Sequence, residues 1–556
     1  MNRVAVLSIA SLALSACASP TGVGTAPPAG DQAPVAGGQL NMVVATDPLD
    51  WDPTSGGRSD PGEDGLAVAY NSLLSFKFGP DVEYSRMEVQ PALAERWETS
   101  PDGKNFTFYL RKGAKYAPST SSGNVGSGSG SVKGLENGRE VTARDVKFSM
   151  EYYSRTGEFA DKKLPASRND LYFEGMQAVS TPDPYTVQFS FKEPFVPFIS
   201  YMASGRAPVA PREIYDQDGH LKDRIIGTGP FQHDPEASQK GTRWVFKKNP
   251  TYWETGKAYL DEIRWIVVKS GATALAAFQT KQIDRMDAMD FRAVEEVTKL
   301  VPDARSFKYM ESQADKFRMS WQANQPTADV RVRKAVSLAL DRDEINKVYA
   351  GGQGVWGLAG SFIGLFTEEE VRGIYKQDVV EAKRLLAEAG YPNGLNLALP
   401  ADDSRSQEVL SMYTLVQAQL KRAGINVDMQ VLDRNLQRQR RRAGDFGLDG
   451  SQGAGSADAD QDSTLYGDFH SSQAGSGNSG YVRDGELDRL LNAQRREPDP
   501  AKRRELQREA ARRIAEIMAA AGTIHTPKWD MVQSYVQNYH PHFSVKAPYA
   551  VSWIRK

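Results

Sequence analysis

Pro91-Ala92-Leu93-Ala94-Glu95-Arg96-Trp97-Glu98 leads through Asp102-Gly103-Lys104 into Phe106-Thr107-Phe108-Tyr109-Leu110, and Val141-Thr142-Ala143-Arg144-Asp145-Val146-Lys147-Phe148-Ser149 follows after an interruption. Phe106 to Leu110 is aromatic with rough alternation, the pattern of a half-buried strand. The interruption, Gly123 to Gly138, is rich in Gly and Ser and reads as a mobile surface loop without function. Working outward, Tyr185 to Phe191 and Trp244 to Phe246 repeat the strand pattern, and Gly38 to Ala45 opens the folded body with a short strand. Val330 to Tyr349, Val379 to Gly390, Ser406 to Gly424 and Ala501 to Ala521 space apolar residues three and four apart, as helices do. Gly390 and Gly424 stand where C-terminal glycine caps belong. The chain shows no internal repeat, heptad run or second long apolar segment, so the class is mixed α and β.

The 556 residues exceed what a single core normally organises, which predicts two or three domains. With 40% hydrophobic and 25% charged residues and a formal net charge of -2, the composition is that of a soluble globular protein. A nucleic-acid partner would need a strongly basic face. Runs such as Arg438 to Arg442 alternate with acidic segments and read as solvated helix faces.

The first residues combine Arg3, an apolar run from Val4 to Leu14 and small residues before Cys17, the organisation of a signal peptide over residues 1–16. The run is too short to span a bilayer of about 30 Å. Leu14-Ser15-Ala16-Cys17 resembles the lipobox of bacterial lipoproteins, and Cys17 is the only cysteine. Acylated Cys17 would tether the chain to a membrane through the Pro/Gly/Ala/Thr-rich linker that runs to residue 37. Ala18 carries no inner-membrane retention signal, so the expected place is the outward face of a bacterial membrane, periplasmic or extracellular.

Catalytic and metal motifs are sparse. The six histidines are scattered, and neither HExxH nor GxSxG occurs. Gly352-Gln353-Gly354-Val355-Trp356-Gly357 fits GxGxxG but follows a helix pattern, whereas a dinucleotide loop follows a strand. Asp458-Ala459-Asp460-Gln461-Asp462 resembles the start of a calcium loop that lacks its glycine and its final glutamate. Paired carboxylates from distant segments remain open to a hydrolase, but the balance favours binding, with no cofactor and no metal.

Taken in order, the quoted blocks resemble the family 5 extracellular solute-binding proteins of ABC importers, the oligopeptide, dipeptide and nickel-binding group. Gly227-Thr228-Gly229-Pro230-Phe231, Asn249-Pro250-Thr251-Tyr252-Trp253, Val330 to Ala335 with Leu340-Asp341-Arg342, and Ala382 to Pro392 continue the resemblance across residues 38–556. It implies a two-lobed periplasmic-binding-protein-like fold with the ligand cleft between the lobes. Lobe I would take residues 38–290 and 527–556, with an extra subdomain at 86–203, and lobe II residues 291–526. It further implies a monomer that hands a solute, an oligopeptide first of all, to a membrane permease and its ATPase. Nickel-chelate, haem and oligosaccharide are the alternatives within the class, and a sensory or chaperone role and a secreted hydrolase lie outside it.

In peptide-binding members a lobe II aspartate pairs with the ligand amine, and Asp458 falls on that position, with Asp460 and Asp462 adding negative potential. The family's preceding tryptophan and following proline are absent here, which leaves room for a wider or more polar cleft. Tyr70, Tyr349 and Trp356 lie near segments that face the cleft in this fold and offer flat rings, with core packing as their other role.

Overall fold

A computed structural model describes residues 33–54, 60–84, 86–119, 131–162, 164, 168–403, 405–452, 460–542 and 548–555. The expected leader with Cys17, and Asp458, lie outside the described residues.

Gln39–Val44 lies parallel between Glu262–Val267 and Arg285–Met289 in a seven-stranded sheet. Arg243–Lys248 and Phe231–His233 extend one side antiparallel, and Pro527–Val532 and Arg305–Met310 extend the other. The two-residue period of a strand sends Leu40, Met42, Ile263 and Trp265 into the largest core. Val43 and Ile266 take the opposite face, where Phe278 and Val297 of helices Gly271–Gln279 and Phe291–Leu300 cover them. Residues 291–310, expected with lobe II, instead complete this first sheet. Arg305–Met310 pairs along its whole length with Pro527–Val532, which satisfies backbone groups that a bare edge would leave open.

The quoted block forms a separate antiparallel sheet in the order Ala94–Thr99, Asn105–Leu110, Thr186–Phe191, Met176–Asp183. Phe106, Phe108, Phe189 and Phe191 surround Phe198 with ring centroids 4.8 to 6.1 Å apart. Val141 to Ser149 enters helix Ala143–Ser154, and the Thr142 amide donates to the Asp145 carboxylate at 2.8 Å to close its first turn. Arg139 donates to both oxygens of Asp145, at 2.6 and 2.9 Å. The Gly/Ser stretch departs from expectation at its described end, residues 131–138. Val132 and Leu135 are fully buried there, an apolar pair that anchors the segment and that its composition conceals.

In the second lobe Lys316–Met319 lies between Leu448–Ser451 and Ala520–Gly522, and Leu395–Asp402 pairs in parallel with Ile425–Leu432. The periodic stretch from Val330 to Tyr349 is two helices, Val330–Ala339 and Arg342–Ala350, because the Asp341 carboxylate accepts the Glu344 amide at 2.9 Å and starts a new one. The helix expected to reach Ala521 stops at Glu516, and Ala520–Gly522 is a strand. Gly390 and Gly424 do leave their helices with φ of 94° and 91°.

Several of the blocks quoted above tie separate stretches of backbone together. A Cβ on Gly227 or Gly229 would collide with the carbonyls of Ala69 or Val68, and buried Asn249 donates to the Gly229 carbonyl at 2.8 Å. Arg333 donates to the carbonyls of Thr327, Ala328 and Met518. Arg342 is 1% exposed, stacks 4.0 Å from the Tyr375 ring centroid and donates to the Gly522 carbonyl at 2.8 Å. Burial lowers both guanidinium groups to about 10, so they stay cationic at neutral pH.

The chain passes between the lobes at residues 311–315 and again at 523–526, and the two segments bond to each other. Asp315 N–H donates to the Ile524 carbonyl (2.8 Å), Thr523 N–H to the Asp315 carbonyl (2.7 Å) and Glu311 N–H to the Thr526 carbonyl (2.9 Å). The Thr526 hydroxyl donates to the Asp315 carboxylate at 2.7 Å, and His525 Nδ1 donates to the Glu311 carbonyl at 3.1 Å. Among the described residues no helix is long and apolar enough to cross a membrane.

Burial pushes His525 down to about 4, and it does the same to His233, which sits among Trp51, Trp244 and Phe246. Both imidazoles are therefore protonated first in the unfolded chain as pH falls. The stability that comes from keeping them neutral is present above their unfolded value of 6.5 and is lost between there and about 4. We expect the melting temperature to fall across that window, and less steeply in His525→Gln. Equal slopes in variant and wild type would refute the assignment for His525.

Candidate ligand-binding cleft between the lobes

A cavity of about 240 Å³ opens where the crossing segments enter the two lobes. Met289 and Lys528 line it from the first sheet, Asp290 and Phe291 from the start of the helix that follows Met289, and Tyr349, Ser406 and Glu408 from the second lobe. Strand ends and helix starts put them there. Met289 closes a parallel strand, and Asp290 caps the next helix by accepting the amides of Arg292 and Ala293 at 2.8 and 3.0 Å. Lys528 follows the second crossing on Pro527–Val532, and Glu408 stands in the first turn of Gln407–Arg422, where the helix dipole favours a negative charge.

The charges at this cavity are unequally occupied. Both cap amides bond to Asp290 Oδ1, which commits that oxygen to the helix start. Among the described residues neither Lys528 nor Glu408 makes a side-chain hydrogen bond or ion pair, and both are half-buried. A cation on one lobe thus faces the same space as a carboxylate on the other. Unpaired charges that are partly removed from water favour a ligand carrying their complements.

The residues singled out in the sequence divide. Tyr349 lines the cavity. Tyr70 is a core residue, 4% exposed, whose hydroxyl accepts the Ile226 amide at 3.3 Å. Trp356 packs in the second core, donates to Asp343 at 3.1 Å and lies under the Arg372 guanidinium, 4.2 Å from the ring centroid. Asp460, expected to face the ligand, instead caps helix Gln461–Phe469 and takes both terminal nitrogens of Arg503, at 2.9 and 2.5 Å. Asp462 is fully buried, and Tyr201, Gln494 and Arg495 donate to it. Asp458 is outside the described residues, and Gln452 donates to the Tyr413 hydroxyl at 3.1 Å. Among the described residues no group of three His, Cys, Asp or Glu is placed to hold a metal ion.

Lys528 and Glu408 carried no signal in the sequence. One stands in a strand pattern and the other on a helix, where a charge ordinarily reads as solvent-facing, and only the meeting of the lobes gives them a common space.

If Asp460 serves the fold, its loss leaves Arg503 buried without a counter-charge. We expect Asp460→Ala to lower unfolding stability by about 3 kcal/mol with no ligand present. A loss under about 0.5 kcal/mol, the size of a typical surface substitution, would return Asp460 to the ligand.

Known proteins resemble this chain in sequence and in shape. The E. coli K12 dipeptide-binding protein is 29% identical over 383 residues, 64% of this chain and 64% of its own length, so the chain spans just under two thirds of that relative. Heme-binding protein A of Haemophilus influenzae is 25% identical over 442 residues, 76% of this chain and 75% of its own. Among solved structures, the periplasmic binding protein DppA of Helicobacter pylori in complex with peptide STSA superposes with a TM-score of 0.77 at 24% identity, covering 94% of this chain and 99% of that one. AgaA of A. tumefaciens R10 in complex with agropinic acid gives 0.78 at 22% identity, over 93% and 99%. At those identities the likeness shows the two-lobed binding-protein fold. The family described as "Bacterial extracellular solute-binding proteins, family 5 Middle" matches residues 88–476, well over half of the sequence. On this match, the chain belongs to the family 5 bacterial extracellular solute-binding proteins.

Proposed function

We propose that this protein is the substrate-binding lipoprotein of an ABC importer, capturing an oligopeptide between its lobes and delivering it to a membrane permease. The observation that carries the reading is the cavity at the lobe junction, with Lys528 on one lobe and Glu408 on the other, neither paired among the described residues. A peptide with a free carboxylate and a free amine pairs with both only when the lobes are together, so its binding energy favours closure. Lys528 takes the carboxylate. The amine goes to lobe II, to Glu408 or to Asp458.

Residues 38–310 with 527–556 form lobe I, and residues 316–522 form lobe II, joined by the two crossing segments. Cys17, after Leu14-Ser15-Ala16, is the acylation point that holds the body on the outward face of a bacterial membrane. The protein acts as a monomer toward its solute and returns it unchanged, with no cofactor and no nucleic-acid partner. The dipeptide-binding relative and the peptide complex of the H. pylori neighbour support the choice of solute.

Native mass spectra and thermal melts of residues 18–556 with a pooled peptide digest test the reading. At a hundredfold excess over the dissociation constant a ligand adds about 2.7 kcal/mol, enough for a melting shift of a few degrees. We expect bound masses equal to intact peptides, and a loss of about tenfold or more in affinity for Lys528→Met. Carboxy-amidated peptides should bind the wild type and Lys528→Met equally. Glu408→Gln and Asp458→Ala, tested against amino-acetylated peptides, identify the amine partner. No bound mass and no shift would withdraw the peptide assignment and send the search to haem, sugars and metal chelates. Cleaved peptides would make the protein a hydrolase.

A further inference from the structure

Far along the chain from the hinge segments, the subdomain added to lobe I meets lobe II in a second buried contact, and none of its residues lines the cavity. Arg495, in the last turn of helix Gly485–Arg496, is 6% exposed. Its guanidinium lies 4.8 Å from the ring centroid of Phe195 in lobe I and 3.7 Å from that of Tyr466 in lobe II. Nη1 donates to Glu174 Oε2 at 2.7 Å and Nη2 to the Leu171 carbonyl at 3.0 Å, both in lobe I. The Tyr466 hydroxyl donates to the other Glu174 oxygen at 2.8 Å, and the Val196 amide donates to the Arg495 carbonyl at 2.9 Å. Tyr201, stacked on Tyr172 with centroids 3.9 Å apart, donates its hydroxyl to Asp462 Oδ2 at 2.6 Å.

We infer that Glu174, Tyr201 and Arg495 form a latch that holds the cleft closed without help from a ligand. The lobe II half is a complete socket in its own right. Asp462 keeps Arg495 at 3.1 Å and Gln494 as partners from its own lobe, so opening leaves no buried charge alone. The lobe I half supplies a hydroxyl, a carboxylate, a carbonyl and an amide, each of which water can satisfy once the lobes part. What opening cannot recover is the covered apolar area of Phe195, Tyr172 and Tyr466. The latch is therefore reversible, and it raises the closed population before any ligand arrives. Since apparent affinity scales with the fraction of protein in the competent state, residues that never touch the ligand set how tightly it is held.

Electron-spin distance measurements test this in the full chain carrying Cys17→Ser, which leaves no native cysteine to compete with the labels. Labels go on Glu193→Cys and Lys502→Cys, two exposed positions on opposite lobes, with the ligand-free state verified by native mass. The expected result is a dominant short distance in the ligand-free protein that gives way to a longer one in the Glu174→Ala/Tyr201→Phe variant. Both changes spare the Asp462–Arg495 pair. Glu174, whose side chain is 39% exposed, can also be replaced alone if the pair of changes impairs folding. Glu174→Ala by itself should move at least about half of the population to the longer distance, because it removes two hydrogen bonds across the lobes, from Arg495 and from Tyr466. Two results would overturn the latch: a ligand-free wild type that shows only the long distance, or variants whose distributions match the wild type.

Discussion

Two crossings of the chain, residues 311–315 and 523–526, are bonded to one another by backbone and by the buried Asp315–Thr526 pair. Everything else in the molecule is arranged around that constraint. Because the segments are tied together, they form one short ribbon between the two lobes. The strand Pro527–Val532 leaves this ribbon to become the second strand of the large sheet, while Ala520–Gly522 precedes it in the lobe II sheet. The cavity opens beside the ribbon, so its two charged walls, Lys528 and Glu408, are carried by elements that move with opposite lobes.

Arginine does much of the anchoring near this ribbon. Arg342 ties Gly522 to the start of helix Arg342–Ala350, and Arg333 gathers carbonyls from two separate segments, Thr327-Ala328 and Met518. A guanidinium suits such places because its donors are fixed in a plane and several can be satisfied at once, while an aromatic ring covers its face. The sequence blocks that carry the family resemblance are therefore mainly a set of joints. Gly227 and Gly229 let the strand end approach Ala69 closely, and Asn249 locks it there. The residues that line the cavity lie outside these blocks.

Hinge and latch divide the work of closure. The hydrogen bonds at the contact between the subdomain and lobe II bear on the angle between the lobes. The subdomain gains a mechanical role in this way, although the cavity takes no lining from it.

The sequence by itself determined the elements and their class. Alternation in Phe106 to Leu110 and in Thr186 to Phe191, and capping at Gly390 and Gly424, depend on local chemistry that survives in a linear reading. The two lobes were implied by the family resemblance that the ordered blocks carry. Where the reading failed, the deciding partner lay far along the chain. Arg305–Met310 joins lobe I because Pro527–Val532 is beside it, more than two hundred residues later. Val132 and Leu135 are buried because a core waits for them, despite the glycines and serines nearby. Asp460 looked free because Arg503 is forty-three residues away, and Lys528 and Glu408 looked ordinary because nothing local says they share a space. Only the tertiary structure could decide these, since the energy of a charge depends on what surrounds it, and its surroundings here come from the other lobe or a distant helix.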